Sequence, residues 1–231
     1  MIILDLDDTL INHSFAQRAA AAKFGEKYAH LIPDYDSSSF EAKWKSVAEY
    51  HFQSFLDRKI SYQEQRRRRL RTILADQKLT DKQADEMFAT VVFHYEAAWQ
   101  LFPDVNDFIN ANKQHRLGMI TDGSKWHQMK KLERLNINHH FEFILTAEDT
   151  GLCKPDPRLF IRACEMAKVK TEHSYYIGDN LNKDALGASV AGLKGVWLNR
   201  DDKNVCQYKQ DVKTTSRFKT IRSLSEFDFY Q

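Results

Sequence analysis

The chain has no run of about eighteen apolar residues, so it offers no membrane-spanning helix. Its opening Met1-Ile2-Ile3-Leu4 breaks at Asp5, too short an apolar stretch for a secretory signal. Cysteine is scarce: Cys153, Cys164 and Cys206 are widely spaced, odd in number and contain no CxxC pair. That pattern supports neither a disulfide framework nor a zinc site, and reads as free thiols in a reducing compartment. A surplus of one charge is also missing. A net charge of +2 gives neither nucleic acid nor an anionic membrane a reason to bind. No internal repeat or low-complexity segment interrupts the 231 residues, which suffice for one main domain with a smaller one inserted. What is left is a globular chain expected in the cytoplasm, and composition alone assigns it no chemistry.

Met1 to Leu6 reads as a short strand that runs into the acidic cluster Asp5-Leu6-Asp7-Asp8-Thr9. From His13 to Ala98 strand-like runs vanish. Apolar residues recur there at spacings of three and four, as in Phe40, Trp44 and Val47 or Phe88, Val91 and Val92, which predicts amphipathic helices. Pro33, Asp34, Asp36 and Ser37-Ser38-Ser39 predict a turn between two of them. Trp44, Tyr50, Phe52 and Phe55 are expected in the core of this helical segment. Beyond it strand and helix signals alternate. Arg116 to Thr121, Phe141 to Thr146, Tyr175 to Ile177 and Gly195 to Leu198 read as strands. Val105 to Ala111, Lys125 to Leu135, the stretch opened by Asp156-Pro157, and Asp184 to Ala191 read as helices. The fold class is therefore α/β, a doubly wound parallel sheet of residues 1–12 and 99–231, split by an all-helical domain over 13–98.

Ligands of an open parallel sheet bind beyond the carboxyl ends of its strands. The sequence puts reactive residues there four times: Asp5 and Asp7, then Thr121 and Asp122, then Lys154, then Asp179 and Asp184. Asp5 and Asp7 alternate along an extended segment and so share a face. Each pair of clustered carboxylates repels by roughly 1–4 kcal/mol at 4 Å, depending on the effective dielectric, so such a set calls for a cation. An all-oxygen donor set favours a hard ion, magnesium above others, because it accepts few carboxylates and keeps room for phosphate oxygens. Lys154 adds positive charge, and Thr121 with nearby backbone N–H groups suits a phosphate oxygen.

These residues carry a resemblance. Asp5-Leu6-Asp7-Asp8-Thr9 is similar to the DxDxT motif of the haloacid dehalogenase-like superfamily. Thr121, Lys154-Pro155 and Gly178-Asp179-Asn180-Leu181-Asn182-Lys183-Asp184 are similar to its second, third and fourth motifs, in the same order. An insert directly after the first motif resembles the helical cap of the superfamily's first subclass. Gln128 to Leu135 and Gly195 to Arg200 are similar to stretches of nucleotidases and sialic-acid 9-phosphate phosphatases. The resemblance implies a Rossmann-like core whose cap encloses a small phosphorylated metabolite, and a phosphatase working through an aspartyl-phosphate. It implies Asp5 as nucleophile, Asp7 as general acid and base, and Lys154 as charge balance. Thr121, Asp122 and Lys154 hold the phosphate in that scheme. Magnesium is held by Asp5, the Asp7 backbone carbonyl and Asp179, with Asp184 orienting those ligands. A phosphomutase of the same fold, or a phosphoryl-binding module without turnover, is the alternative. A dehalogenase has no use for Asp7 or for the acidic pair Asp179 and Asp184.

Several residues carry two readings. Asp122 stands where the superfamily often has Asn, and its carboxylate either meets the phosphate or caps the following helix. Arg66 to Arg69, with Arg71, cannot all point one way on a helix, so they form a solvated face, or one or two of them reach substrate. His13 is either an exposed hinge residue or a substrate contact. Cys153 precedes Lys154 without a histidine placed to activate it.

Overall fold

A computed structural model of the chain describes residues 1–202 and 218–229; Cys206 lies outside the described residues. Two compact units emerge, one of Met1–Asn12 with Gln100–Gln231 and one of His13–Trp99.

The chain opens on β1 (Ile2–Leu4) and passes into four helices, α1 (His13–Tyr28), α2 (Ser37–Leu56), α3 (Tyr62–Ile73) and α4 (Asp81–Ala97). Their inward faces pool Phe24, Phe40, Trp44, Leu70, Ile73, Phe88 and Val91 into one core, with the Phe24 and Trp44 rings 5.2 Å apart. Helix starts are set locally. Thr80 and Gln83 form a reciprocal capping box at α4, and Ser61 accepts from the Glu64 N–H at α3. Two expectations fail here. Ser37-Ser38-Ser39 is the first turn of α2 rather than part of a turn, because the Asp36 carboxylate accepts from the Ser38 and Ser39 amides and nucleates the helix there. Tyr50, expected in the core, is 71% exposed, and Phe52 and Phe55, expected there too, are only half-buried and outside it.

The arginine run disperses within this unit. Arg67 pairs with Asp81 and Asp85, Arg68 with Glu64 and Arg71 with Asp81, so much of that charge is spent tying α3 to α4. Arg66 stacks over Tyr62 and Phe88, and Arg69 over Trp44 and Phe88. His13 shares hydrogen bonds with the Tyr95 hydroxyl at 2.7 Å and with Gln17.

In the other unit α5 (Val105–Ala111) leads to β2 (Leu117–Thr121), α6 (Lys125–Arg134) and β3 (Phe143–Thr146). The short α7 (Ala147–Thr150) and α8 (Pro157–Met166) precede β4 (Tyr175–Gly178). A π-helical turn, Leu181–Leu186, then runs into α9 (Gly187–Val190), β5 (Lys194–Leu198) and β6 (Phe218–Ile221). The helix expected over 184–191 thus starts earlier and in a wider turn, and β6 is a strand the sequence pattern did not reveal.

The six strands are parallel in the order β3-β2-β1-β4-β5-β6. Alternation along each strand sorts the side chains. Ile2, Leu4, Met119 and Ile177 face a core closed by Phe108 and Ile109 of α5 and Leu132 of α6. Ile3, Ile120, Leu145 and Tyr176 face another, closed by Leu159, Phe160 and Ala163 of α8. Both faces of the sheet are covered, which is why β1 to β4 are almost wholly apolar. Chain order reverses between β1 and β4, which opens a crevice at their carboxyl ends. Among the described residues no helix is long and apolar enough to cross a membrane.

Candidate active site

All four sequence clusters meet at that crevice. Asp5 leaves β1 with its backbone N–H still bonded to the Ile177 carbonyl of β4, so the first and fourth clusters are joined through the sheet. The buried Asp5 carboxylate accepts the Lys154 ammonium at 2.6 Å on one oxygen and the Thr9 hydroxyl at 3.1 Å on the other. Lys154 donates also to Asp184 at 2.7 Å, and Asp184 in turn accepts the Asn180 N–H at 2.9 Å. The Asp179 backbone N–H donates to the Thr9 hydroxyl at 3.1 Å, and its carbonyl accepts the Trp197 indole. Thr9 therefore links the first acidic cluster to the last.

Local structure explains how Asp184 reaches inward. The Asn180 side chain accepts from the Asn182 and Lys183 amides and starts the π-helical turn, whose extra width swings Asp184 against Gly178. A Cβ on Gly178 would lie 2.3 Å from the Asp184 carboxyl carbon. Gly178→Ala is expected to cost about 1–3 kcal/mol through overpacking, and to displace Asp184 from Lys154. Urea unfolding measures the first effect; an unchanged midpoint contradicts the close packing.

Burial dominates the electrostatics. It pushes the Asp5 carboxyl up to about 7 against the pull of Lys154, with Asp184 adding to the rise. Burial together with Asp184 and Asp5 holds Asp179 well above the usual carboxylate range. Burial opposes charge on Lys154 as well, yet Asp184 and Asp5 outweigh it and keep its ammonium form well above ordinary lysine. Fully ionised, Asp5, Asp179 and Asp184 with Lys154 would sum to a formal charge of −2, which is the repulsion that raises the acids.

That surplus and the donor chemistry test the site for a divalent cation. Asp5, Asp179 and Asp184 each offer an oxygen, and these oxygens lie within 4.8 Å of one another. That spread is small enough for the three side chains to converge on a single divalent ion. The residues fit a hard divalent cation.

Asp7 lies in a different pocket of contacts. Its two oxygens accept the Lys131 ammonium at 2.6 and 2.8 Å, and one also accepts the Gln128 amide at 3.0 Å. The same Gln128 nitrogen donates to the Thr121 hydroxyl at 2.6 Å. Sequence reasoning passed over Gln128, Lys131 and Thr9. Their spacing of three puts Gln128 and Lys131 on one side of α6, and the packing makes it the buried side, with Leu132. Asp122 does not cap α6. It precedes the N-cap Ser124 by two residues, too early to reach the first helical amides, and its carboxylate accepts the Lys154 backbone N–H at 2.9 Å, with the Lys183 ammonium 3.6 Å away. Asp122 thus ties the second cluster to the third.

Comparison with known proteins gives the same picture. A family model described as haloacid dehalogenase-like hydrolase matches residues 1–192. The phosphoserine phosphatase of Thermus thermophilus is 28% identical over 87% of this chain and 88% of its own length. A glyceraldehyde 3-phosphate phosphatase of Methanopyrus kandleri is 36% identical over 48% of this chain and 50% of its own. The magnesium-bound crystal structure of YfnB from Bacillus subtilis superposes with a TM-score of 0.75 at 26% identity, covering 97% of this chain and 95% of that one.

Proposed function

We propose that this chain, which belongs to the haloacid dehalogenase-like hydrolase family, is a magnesium-dependent phosphatase that hydrolyses a small phosphate monoester through a phosphorylated Asp5. The observation that carries the reading is the buried junction of Asp5 with Lys154 and Asp184 beside Asp179. A structural salt bridge between Lys154 and two carboxylates gains nothing from Asp179 at that spot, whereas a divalent ion does. A magnesium-bound solved relative and phosphatase relatives support the same reading.

In this reading an Asp5 oxygen attacks phosphorus in line, the phosphorus–oxygen bond of the ester breaks, and the leaving oxygen takes the proton that Asp7 carries in its acid form, leaving the carboxylate. Water then attacks the phosphorus of the aspartyl-phosphate and gives its proton to Asp7. The bond to Asp5 breaks, inorganic phosphate leaves, and both aspartates return to their starting forms. Lys154 offsets the repulsion between the Asp5 carboxylate and the phosphate dianion. Gln128 occupies an acceptor site of the Thr121 hydroxyl, which leaves its proton for a phosphate oxygen. Asp5, Asp179 and the Asp7 backbone carbonyl would hold magnesium, with Asp184 orienting Lys154 and the Asn180 turn beside them. When bound, the ion neutralises the phosphoryl oxygens. The substrate class extends from nucleoside monophosphates and sugar phosphates to the three-carbon monoesters named by the relatives.

Phosphate release decides it. The substrates are 4-nitrophenyl phosphate and a panel of nucleoside monophosphates, sugar phosphates, phosphoserine and glyceraldehyde 3-phosphate, each with excess magnesium or with EDTA. Release is expected with magnesium and absent in EDTA. Protons compete with the ion for Asp5 and Asp179, so its apparent affinity should rise with pH through about 7, where Asp5 ionises. Undiminished release in EDTA, or none across the panel from folded protein with magnesium, defeats the proposal.

A further inference from the structure

Lys131 is the unexpected charge of this sheet domain. Its side chain is 4% exposed, on the inner face of α6 beside Leu132, where a leucine or methionine would pack without penalty. Removing an ammonium from water costs several kcal/mol, which the surroundings must return. They do so through the Asp7 carboxylate, both of whose oxygens meet the ammonium. Three residues earlier on the same helix face, Gln128 is equally buried and donates to Asp7 and to Thr121 together. Two buried polar positions of a single helix thus converge on one carboxylate.

We infer that Lys131 and Gln128 are positioning residues that fix the Asp7 carboxylate in its proton-exchanging orientation and hold it in register with the Thr121 hydroxyl. The inference rests on the phosphatase reading above. A lone aspartate on an extended segment has several side-chain rotamers open to it. Two oxygens gripped from a rigid helix leave one, which is the preorganisation that proton transfer in a transition state requires. Because Gln128 bridges Asp7 and Thr121, the acid and the phosphate-facing hydroxyl keep a constant separation. Neither residue touches the reacting atoms. Lys131 acts only in the steps in which Asp7 gives or takes a proton, whereas Gln128 serves those steps and also holds the Thr121 hydroxyl toward the phosphate.

That confinement is what an experiment reads. A nitrophenolate leaves without a proton, so the first step on 4-nitrophenyl phosphate does not need Asp7, whereas an alkoxide does. Lys131→Met is compared with wild type, with magnesium, on 4-nitrophenyl phosphate and on whichever alkyl ester of the panel wild type turns over fastest. With the aryl ester the variant should release a burst of about one nitrophenolate per enzyme at near the wild-type rate, then turn over slowly as the phosphorylated form accumulates. With the alkyl ester the first step itself should fall by about 100-fold or more, with no burst and little change in KM. Lys131→Arg, which keeps a charged donor fork, should recover part of the alkyl rate. If Lys131→Met does not fold, Lys131→Gln is read with the same two esters and should show the same split at smaller size. Equal losses with both esters, or no loss with either, overturn the inference. Wild type inert on every ester would instead sink the phosphatase reading on which it rests.

Discussion

Asp5→Asn is expected to lower magnesium-dependent phosphate release by at least about four orders of magnitude while leaving the protein folded. The substitution preserves size and shape. The amide oxygen can still accept the Lys154 ammonium, and the amide nitrogen can turn to the Thr9 hydroxyl, which is able to accept as well as donate. What disappears is the carboxylate that attacks phosphorus and the charge that attracts the ion. Stability should move in the opposite direction. The Asp5 carboxyl titrates near 7 in the fold and near 3.8 when unfolded, so its ionised form burdens the folded state increasingly as pH climbs between those values. Removing it should therefore raise the melting temperature in EDTA at pH 8, and scarcely at pH 4. Residual magnesium-dependent release within tenfold of wild type would remove Asp5 from the nucleophile's place; a melting temperature that falls alike at both pH values would deny the burial strain.

How far the sequence could be read follows from what each signal depends on. Asp5, Thr121, Lys154, Asp179 and Asp184 sit where apolar runs end, and the rule that parallel sheets bind ligands at strand ends gathers them without knowledge of packing. The alternation of strands and helices gave the doubly wound sheet for the same reason. Lys131 and Gln128 were harder. Their positions on α6 are polar in a helix already rich in lysine and glutamate, so only the observed packing tells the buried face from the wet one. Asp122 misled because aspartate before a helix is so often a cap, and two residues of extra loop were enough to send it to the Lys154 amide instead. Ser37 to Ser39 misled through composition. Serines favour turns when alone, but behind an aspartate that accepts their amides they form a helix's first turn. Strand β6 has only Phe218 and Ile221 as strongly apolar residues, with a lysine and a threonine between, a pattern too short to separate from a loop.

Lys154→Met should produce the largest loss of stability. In wild type the ammonium lies between Asp5 and Asp184, with the three side chains 5%, 7% and 1% exposed. Methionine fills the stem's volume but leaves two buried carboxylates facing each other with Asp179 close by. Breaking a buried ion pair from one side costs about 3–5 kcal/mol, chiefly because the orphaned charge stays out of water. The loss should depend on pH in a definite direction. Asp5, already raised by burial, rises further without Lys154, and the penalty for ionising it in the fold grows from the unfolded value upward. At pH 5 a bound proton spares most of that cost; at pH 8 none is spared, so the destabilisation should be distinctly larger at pH 8. Urea unfolding in EDTA at the two pH values measures it, and a loss that is equal at both would mean that Lys154 acts by packing alone. Adding Asp184→Asn should restore part of the stability by removing one of the two facing charges, yet it should not restore catalysis. Phosphate release is expected to remain about 100- to 1,000-fold below wild type, since the positive charge that lets a carboxylate approach a phosphate dianion is still missing. Recovered stability without recovered rate separates the two tasks of this lysine, holding the acidic junction together and admitting the substrate's charge to it.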